Sequence, residues 1–204
     1  MTAANFMRLL MLACLTAWCS GCAQVAFFAA NVPAAFGHYS RLTNLAYDTQ
    51  SRNKLDVYIP QHLNTLQRPA PIVVFFHGGG WNSGDKSYYK FVGAALAEQG
   101  YIAVLPNYRL YPRVKSTAIF QDAAAAVAFV RAHSAEWGGS ETQLYLVGHS
   151  AGAHLAVMLA LNPEYLRQVG MSPQQLRGVV GLAGPYSQSI TYVPMRHRYC
   201  CCRG

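Results

Sequence analysis

The amino-acid sequence predicts an α/β fold, a mostly parallel sheet with helices on both faces. Three observations point to it. Ile72–Phe76, Tyr101–Leu105, Leu144–Val147 and Val179–Ala183 are short, continuous apolar runs rich in β-branched or aromatic residues, the mark of strands buried on both faces. Segments with helical spacing or length, Ser87–Gln99, Thr117–His133 and Ala151–Leu161, fall between them. Gly100, Pro106, Gly138–Gly139 and Pro163 punctuate the boundaries. Strands that alternate with helices at this spacing argue for a parallel sheet.

In chain order, the first element is a leader. Arg8 supplies a positive start, Leu9–Trp18 an apolar stretch, and Ser20, Gly21 and Cys22 a small-residue end. That is the layout of a secretory signal over residues 1–22, with Met7 as an alternative start. Ser-Gly-Cys resembles the end of a bacterial lipobox, although Cys19 stands at its third position upstream in place of leucine. Under that reading the chain is exported to the periplasm or membrane, and Cys22 carries a lipid. The alternative is an uncut anchor helix, for which the apolar run is short and interrupted.

Residues 38–186 form the expected domain. Leu42–Tyr47 and Lys54–Ile59 alternate about a polar turn, Thr49–Asn53, and predict an antiparallel hairpin ahead of the parallel strands. Pro60–Pro71 reads as a loop. Residues 187–204 have no strand–helix rhythm and are expected to be an unstructured or aberrant tail.

Composition narrows the function. The chain has 204 residues, 52% hydrophobic and 12% charged, with a net charge of +8. The lysines and arginines are scattered and mark no basic helix face, so the charge does not describe a nucleic-acid binder. Cys14, Cys19 and Cys22 lie in the leader and Cys200, Cys201 and Cys202 at the other end. With none between, there is no disulfide framework and no zinc-ligand spacing.

Two motifs carry chemistry. Gly148-His149-Ser150-Ala151-Gly152 fits G-x-S-x-G between a buried strand and a helix. There, a sharp turn lifts a serine hydroxyl above the sheet edge, and the helix N-terminus aims free N–H groups at the same spot. His77-Gly78-Gly79-Gly80-Trp81 closes the first buried strand. Its glycines let a backbone approach a ligand closely and present amides to an oxyanion. Both motifs fall at the carboxyl ends of strands, where ligands sit in such sheets.

HGGGW followed 73 residues later (His77 to Ser150) by GHSAGAH resembles the α/β-hydrolase superfamily. Its nearest branch is the carboxylesterases related to hormone-sensitive lipase, feruloyl-esterase-like enzymes and kynurenine formamidase. KLDVYIP, GDKSYY, GYIAVLPNYRL and QDAAAAVAFV agree with it, so the resemblance runs from about Leu42 to Tyr186. It implies Ser150 as nucleophile and the amides of Gly79, Gly80 and Ala151 as the oxyanion hole. His77, Gly78, Trp81, Gly148, His149 and Gly152 become supporting motif residues, with His77 holding the loop and His149 and His154 packing or capping. A small-molecule ester or amide is the implied substrate, with no metal and no organic cofactor.

The superfamily order is serine, acid, then histidine. Here no aspartate follows Asp122, and Glu164 sits directly after the nucleophile helix, on the wrong connection. Ser187 stands where relatives often carry aspartate after Gly-Pro-Tyr. His197, in the tail, is the remaining histidine beyond the elbow helix. The expectation is therefore a partial α/β-hydrolase with the last strands missing, truncated or frame-shifted, with His197 a weak candidate for the base. A noncatalytic binding protein on the same scaffold and a formyl-amide hydrolase of the kynurenine formamidase kind are the alternatives.

Overall fold

The computed structural model describes residues 25–61 and 69–186. The leader over 1–22, the middle of the Pro60–Pro71 loop and the tail with His197 lie outside the described residues.

Among the described residues, six strands form one sheet in the order β1-β2-β4-β3-β5-β6. β1 (Tyr39–Ala46) and β2 (Lys54–Pro60) pair antiparallel, as the alternating pattern predicts, and β2 is antiparallel to β4 (Ile102–Pro106). β3 (Ala70–Phe76), β4, β5 (Gly139–His149) and β6 (Gly178–Leu182) are parallel to their neighbours. After α1 (25–31) come α2 (Lys90–Glu98), α3 (Ser116–His133), α4 (Ala151–Leu161) and α5 (Pro163–Arg167). From β3 the chain first moves to one neighbour, β4, and then returns across to the other, β5. That reversal opens a crevice at the carboxyl ends of β3 and β5.

The sheet is buried on both faces because its strands alternate between two cores. Ile72, Val74, Phe76, Ile102 and Val104 face the larger core, shared with Val127 of α3 and Leu155 of α4. Phe75, Ala103 and Leu105 face the smaller one, with Tyr58, Tyr89 and Ala97 of α2.

Two elements differ from expectation. Ser87–Gln99 is not one helix: a 3-10 turn (Lys86–Tyr89), begun by the Asp85 carboxylate accepting from the Ser87 N–H, precedes α2. β5 begins at Gly139, five residues ahead of the apolar run, because Gly139 pairs with Ala70 before a register shift that carries the polar residues and restores pairing at Ile72 and Leu144. Pairing extends the strand where hydrophobicity does not mark it.

A buried polar network ties the 3-10 turn to the antiparallel hairpin. Lys86 Nζ lies 2.6 Å from Asp56 Oδ1 and donates to Asn44 Oδ1 at 3.0 Å, with both charged side chains under a tenth exposed. The Asn44 N–H donates to Asp56 as well, at a bulge in β1. Lys86 N–H donates to Asn107 Oδ1, and Asn107 Nδ2 donates to Asp85. Burial alone would raise the Asp85 carboxyl, but bonds from Ser87 and Asn107 and the Arg52 charge outweigh it and hold it below its usual range.

Removing one partner of a buried pair strands the other charge, at a cost of about 3–5 kcal/mol. Asp56→Ala is expected to lose stability on that scale. The double variant Asp56→Leu/Lys86→Met should recover most of it, since neither charge then remains buried. Urea denaturation of the three proteins checks this; a single variant as stable as the parent would show the pair to be dispensable.

Candidate active site

Ser150 stands at the end of β5 with φ 52° and ψ −118°. A non-glycine residue there is strained by about 1–3 kcal/mol, and the surroundings hold it in place. Its N–H donates to the Leu182 carbonyl at 2.8 Å, and its carbonyl accepts from the His154 N–H of α4. A Cβ on Gly148 would stand 2.2 Å from the Gly152 carbonyl oxygen, and one on Gly152 would stand 2.1 Å from that of Phe76. Both flanking positions therefore need glycine, and α4 starts pressed against the end of β3.

The glycine loop meets this turn. A Cβ on Gly78 would lie 2.8 Å from His149 Nδ1 and 3.2 Å from Ser150 Cβ. Gly79 and Gly80 follow with φ 128° and 59°, and Trp81 continues at 63°. Among the described residues, none accepts a hydrogen bond from the amides of Gly79 or Gly80. Ala151 is the first residue of α4, where an N–H has no acceptor within the helix. The Gly78 amide is different: it donates to the Tyr89 hydroxyl at 3.3 Å. The amides of Gly79, Gly80 and Ala151 thus have no acceptor among the described residues.

The described histidines near Ser150, His77, His149 and His154, are engaged in packing or hydrogen bonds. His77 is 1% exposed, stacks on Tyr108 at 4.3 Å and places Nδ1 2.8 Å from the Gly78 carbonyl. Tyr108 in turn donates to the His77 carbonyl at 2.7 Å. His149 Nδ1 lies 3.0 Å from the Tyr89 hydroxyl. His154 sits between Trp81 and Phe120, and burial lowers its pKa. No described histidine side chain hydrogen-bonds the Ser150 hydroxyl, and Glu164 pairs with Arg167 on the exposed side of α5. An open cleft of about 1020 Å³ lies beside α1, bounded by Phe27, Phe36, Tyr39 and Tyr88, but Ser150 and the glycine loop do not line it.

The residues that brace the site were not assigned roles from sequence: Arg52, Tyr89, Asn107, Tyr108, and the Arg109–Asp122 pair. Arg109 donates from its backbone and guanidinium to buried Asp122 and anchors the turn after β4 on α3. The available signal was the conjunction of GDKSYY with PNYRL and QD. Each stretch is polar where its neighbours are apolar, yet none has a spacing that specifies a contact.

Burial lowers the His77 pKa to about 4, against about 6.5 when unfolded. Between those values the unfolded chain binds the extra proton, so stability falls as pH drops from about 6.5 to 4 and is unaffected above. The urea midpoint of the parent should fall over that window more steeply than that of His77→Gln, which cannot titrate. Parallel profiles would mean that the imidazole is not held neutral.

With this geometry in view, comparison with known proteins is informative. The BD-FAE family model matches residues 55–187. The isoprenylcysteine alpha-carbonyl methylesterase of Arabidopsis thaliana is 33% identical over 148 residues, 71% of this chain and 34% of that one. The kynurenine formamidase of Salmo salar is 32% identical over 152 residues, 74% of this chain and 48% of that one. The chain thus spans about a third to a half of the length of the curated relatives it matches. Esterase B from Lactobacillus rhamnosis superposes with a TM-score of 0.68 at 24% identity, over 90% of this chain and 59% of that one, a likeness of fold. Family match, sheet order and serine turn agree: the chain belongs to the BD-FAE family, within the carboxylesterase branch of the α/β-hydrolases.

Proposed function

We propose that this chain carries the nucleophile and oxyanion hole of a serine hydrolase acting on a small carboxylic ester. The observation that carries the reading is the contact of the glycine loop with the strained serine turn, Gly78 against His149 and Ser150. Ser150 Oγ attacks the carbonyl carbon, and the resulting oxyanion is stabilised by the amides of Gly79, Gly80 and Ala151. A base takes the serine proton and returns it to the leaving alcohol; water then releases the acyl group. The described histidines beside Ser150 are committed to packing, so this reading takes its base from outside the described residues, and His197 is the candidate this chain offers. Similarity to a kynurenine formamidase supports a second reading, a formyl-amide substrate attacked by the same serine.

The leader supports a proposal of place. We infer that residues 1–22 export the chain and that Cys22 bears a lipid holding it at a membrane. No described helix is long and apolar enough to cross one. Phe28 and Phe36, 75% and 79% exposed, follow the leader closely.

A fluorophosphonate probe should label Ser150 stoichiometrically and leave Ser150→Ala unlabelled. Gly78→Ala should slow labelling about tenfold or more by wedging the loop from the turn, a fraction of the ~10²–10³ lost with a whole oxyanion donor. His197→Ala should slow it further if that residue is the base; an unchanged rate removes it from the mechanism. An inert parent chain would favour the noncatalytic binding protein, and comparative turnover of short esters and formyl amides separates the two hydrolase readings. Metabolic labelling with an alkyne fatty acid should mark the chain and vanish in Cys22→Ala; equal labelling of both would remove the lipid from that residue.

A further inference from the structure

The oxyanion donors come from two separate segments, Gly79 and Gly80 after β3 and Ala151 after β5. The strands align these segments only as far as Phe76 opposite Gly148. Beyond that pair the backbone ladder ends and both chains turn, so something else must set the remaining distance.

One hydroxyl reaches both. Tyr89, in the 3-10 turn before α2, accepts the Gly78 N–H at 3.3 Å and lies 3.0 Å from His149 Nδ1. A phenol can accept with its oxygen while its proton goes elsewhere. The Gly78 N–H can only donate, so the arrangement is consistent when Tyr89 O–H donates to a bare His149 Nδ1 and the imidazole carries its proton on Nε2. Burial raises the Tyr89 pKa, which keeps that proton in place.

The ring is as fixed as the hydroxyl. Tyr89 is 6% exposed and packs against Phe75 of β3 at 5.2 Å, Phe91 of α2 at 6.1 Å and Phe27 of α1 at 5.3 Å. Its backbone belongs to the turn that Asp85, Lys86 and Asn107 anchor. A rigid side chain on a rigid turn thus touches the residue before the first loop donor and the residue before the nucleophile.

We propose that Tyr89 is a positioning residue for the proposed reaction: its hydroxyl bridges Gly78 to His149 and thereby sets the separation between the loop amides and Ser150. Tyr89 touches neither substrate nor the reacting atoms; it acts through the two neighbours it joins. The proposal rests on the reading of Ser150 as nucleophile for its consequence in rate, but the bridge itself can be read without any reaction.

Tyr89→Phe keeps the ring packing and removes only the bridge. Its Gly78 amide should exchange hydrogen about tenfold faster or more by NMR, with the β3 amides of Ile72–Phe76 unchanged, and the His149 Nδ1 resonance should move. Fluorophosphonate labelling should slow about tenfold in its limiting rate, with the half-saturating probe concentration little altered. His149→Leu, which removes the acceptor on the other side but leaves the Tyr89 oxygen to Gly78, should give a smaller acceleration at Gly78 in the same direction. Unchanged Gly78 exchange in both variants overturns the bridge. Altered exchange with an unaltered labelling rate overturns its role in positioning. A parent protein that never labels defeats the hydrolase reading instead, and the exchange measurement still decides the bridge.

Discussion

The contact on which the rest of the structure depends is that of Gly152 with the end of β3. A side chain there would collide with the Phe76 and His77 carbonyl oxygens, so the first turn of α4 can press against β3 only because that position has none. That approach brings the N-terminus of α4, and the Ala151 amide with it, beside the glycine loop. The parallel pairing of β3 with β5 supplies the register, and the missing Cβ supplies the final closeness. Neither suffices alone: a register without the close approach would leave the two sets of amides separated by a side chain.

Strain at Ser150 makes sense within this frame. The residue holds a backbone conformation that costs energy, and neighbouring backbone bonds to Leu182 and His154 fix it on either side. The loop opposite is held from below by different means. His77 is clamped by stacking and by the Tyr108 hydroxyl, while Gly78 is held by Tyr89. Tyr89 and Tyr108 follow different elements, yet both converge on the two residues that precede the proposed donors. The Lys86–Asp56 pair and the Asn107 amide stabilise the backbone from which Tyr89 projects. Much of the polar interior thus serves to hold a short stretch of glycine backbone in place.

The sequence made the strands and helices of the parallel region legible because burial on two faces leaves an unbroken apolar run. Ala151–Leu161 is helical over the span its pattern marks. The serine turn was legible for a different reason: glycines on both sides are required by contact, and a contact that excludes every side chain leaves a trace in residue type. The polar first half of β5 was not legible, since it lies in a register shift between the Ala70–Gly139 and Ile72–Leu144 pairs, set by a strand far away in the chain. Nor was the Tyr89 bridge, since a tyrosine between Tyr88 and Lys90 carries no periodic or spacing signal for a partner sixty residues on. A sequence pattern reports what a position must exclude more readily than which distant atom it must reach.

The same distinction separates the two halves of the proposed reaction. A nucleophile turn and an oxyanion loop are backbone devices, fixed by strand ends, helix starts and glycines. A general base is a side chain delivered to within ~2.6–3.2 Å of the serine oxygen by whichever loop carries it. The histidines already beside Ser150 are excluded by what they do. His77 is buried with its pKa lowered to about 4, which makes it a poor proton acceptor near neutrality, and it lies under the loop. His149 is bound to Tyr89, and His154 is wedged between two aromatic rings. Their proximity in sequence follows from the motif, while their chemistry follows from burial. Three imidazoles close to Ser150 therefore act as packing and hydrogen-bonding groups, and the proton acceptor of the proposed reaction is to come from a segment whose position they do not determine.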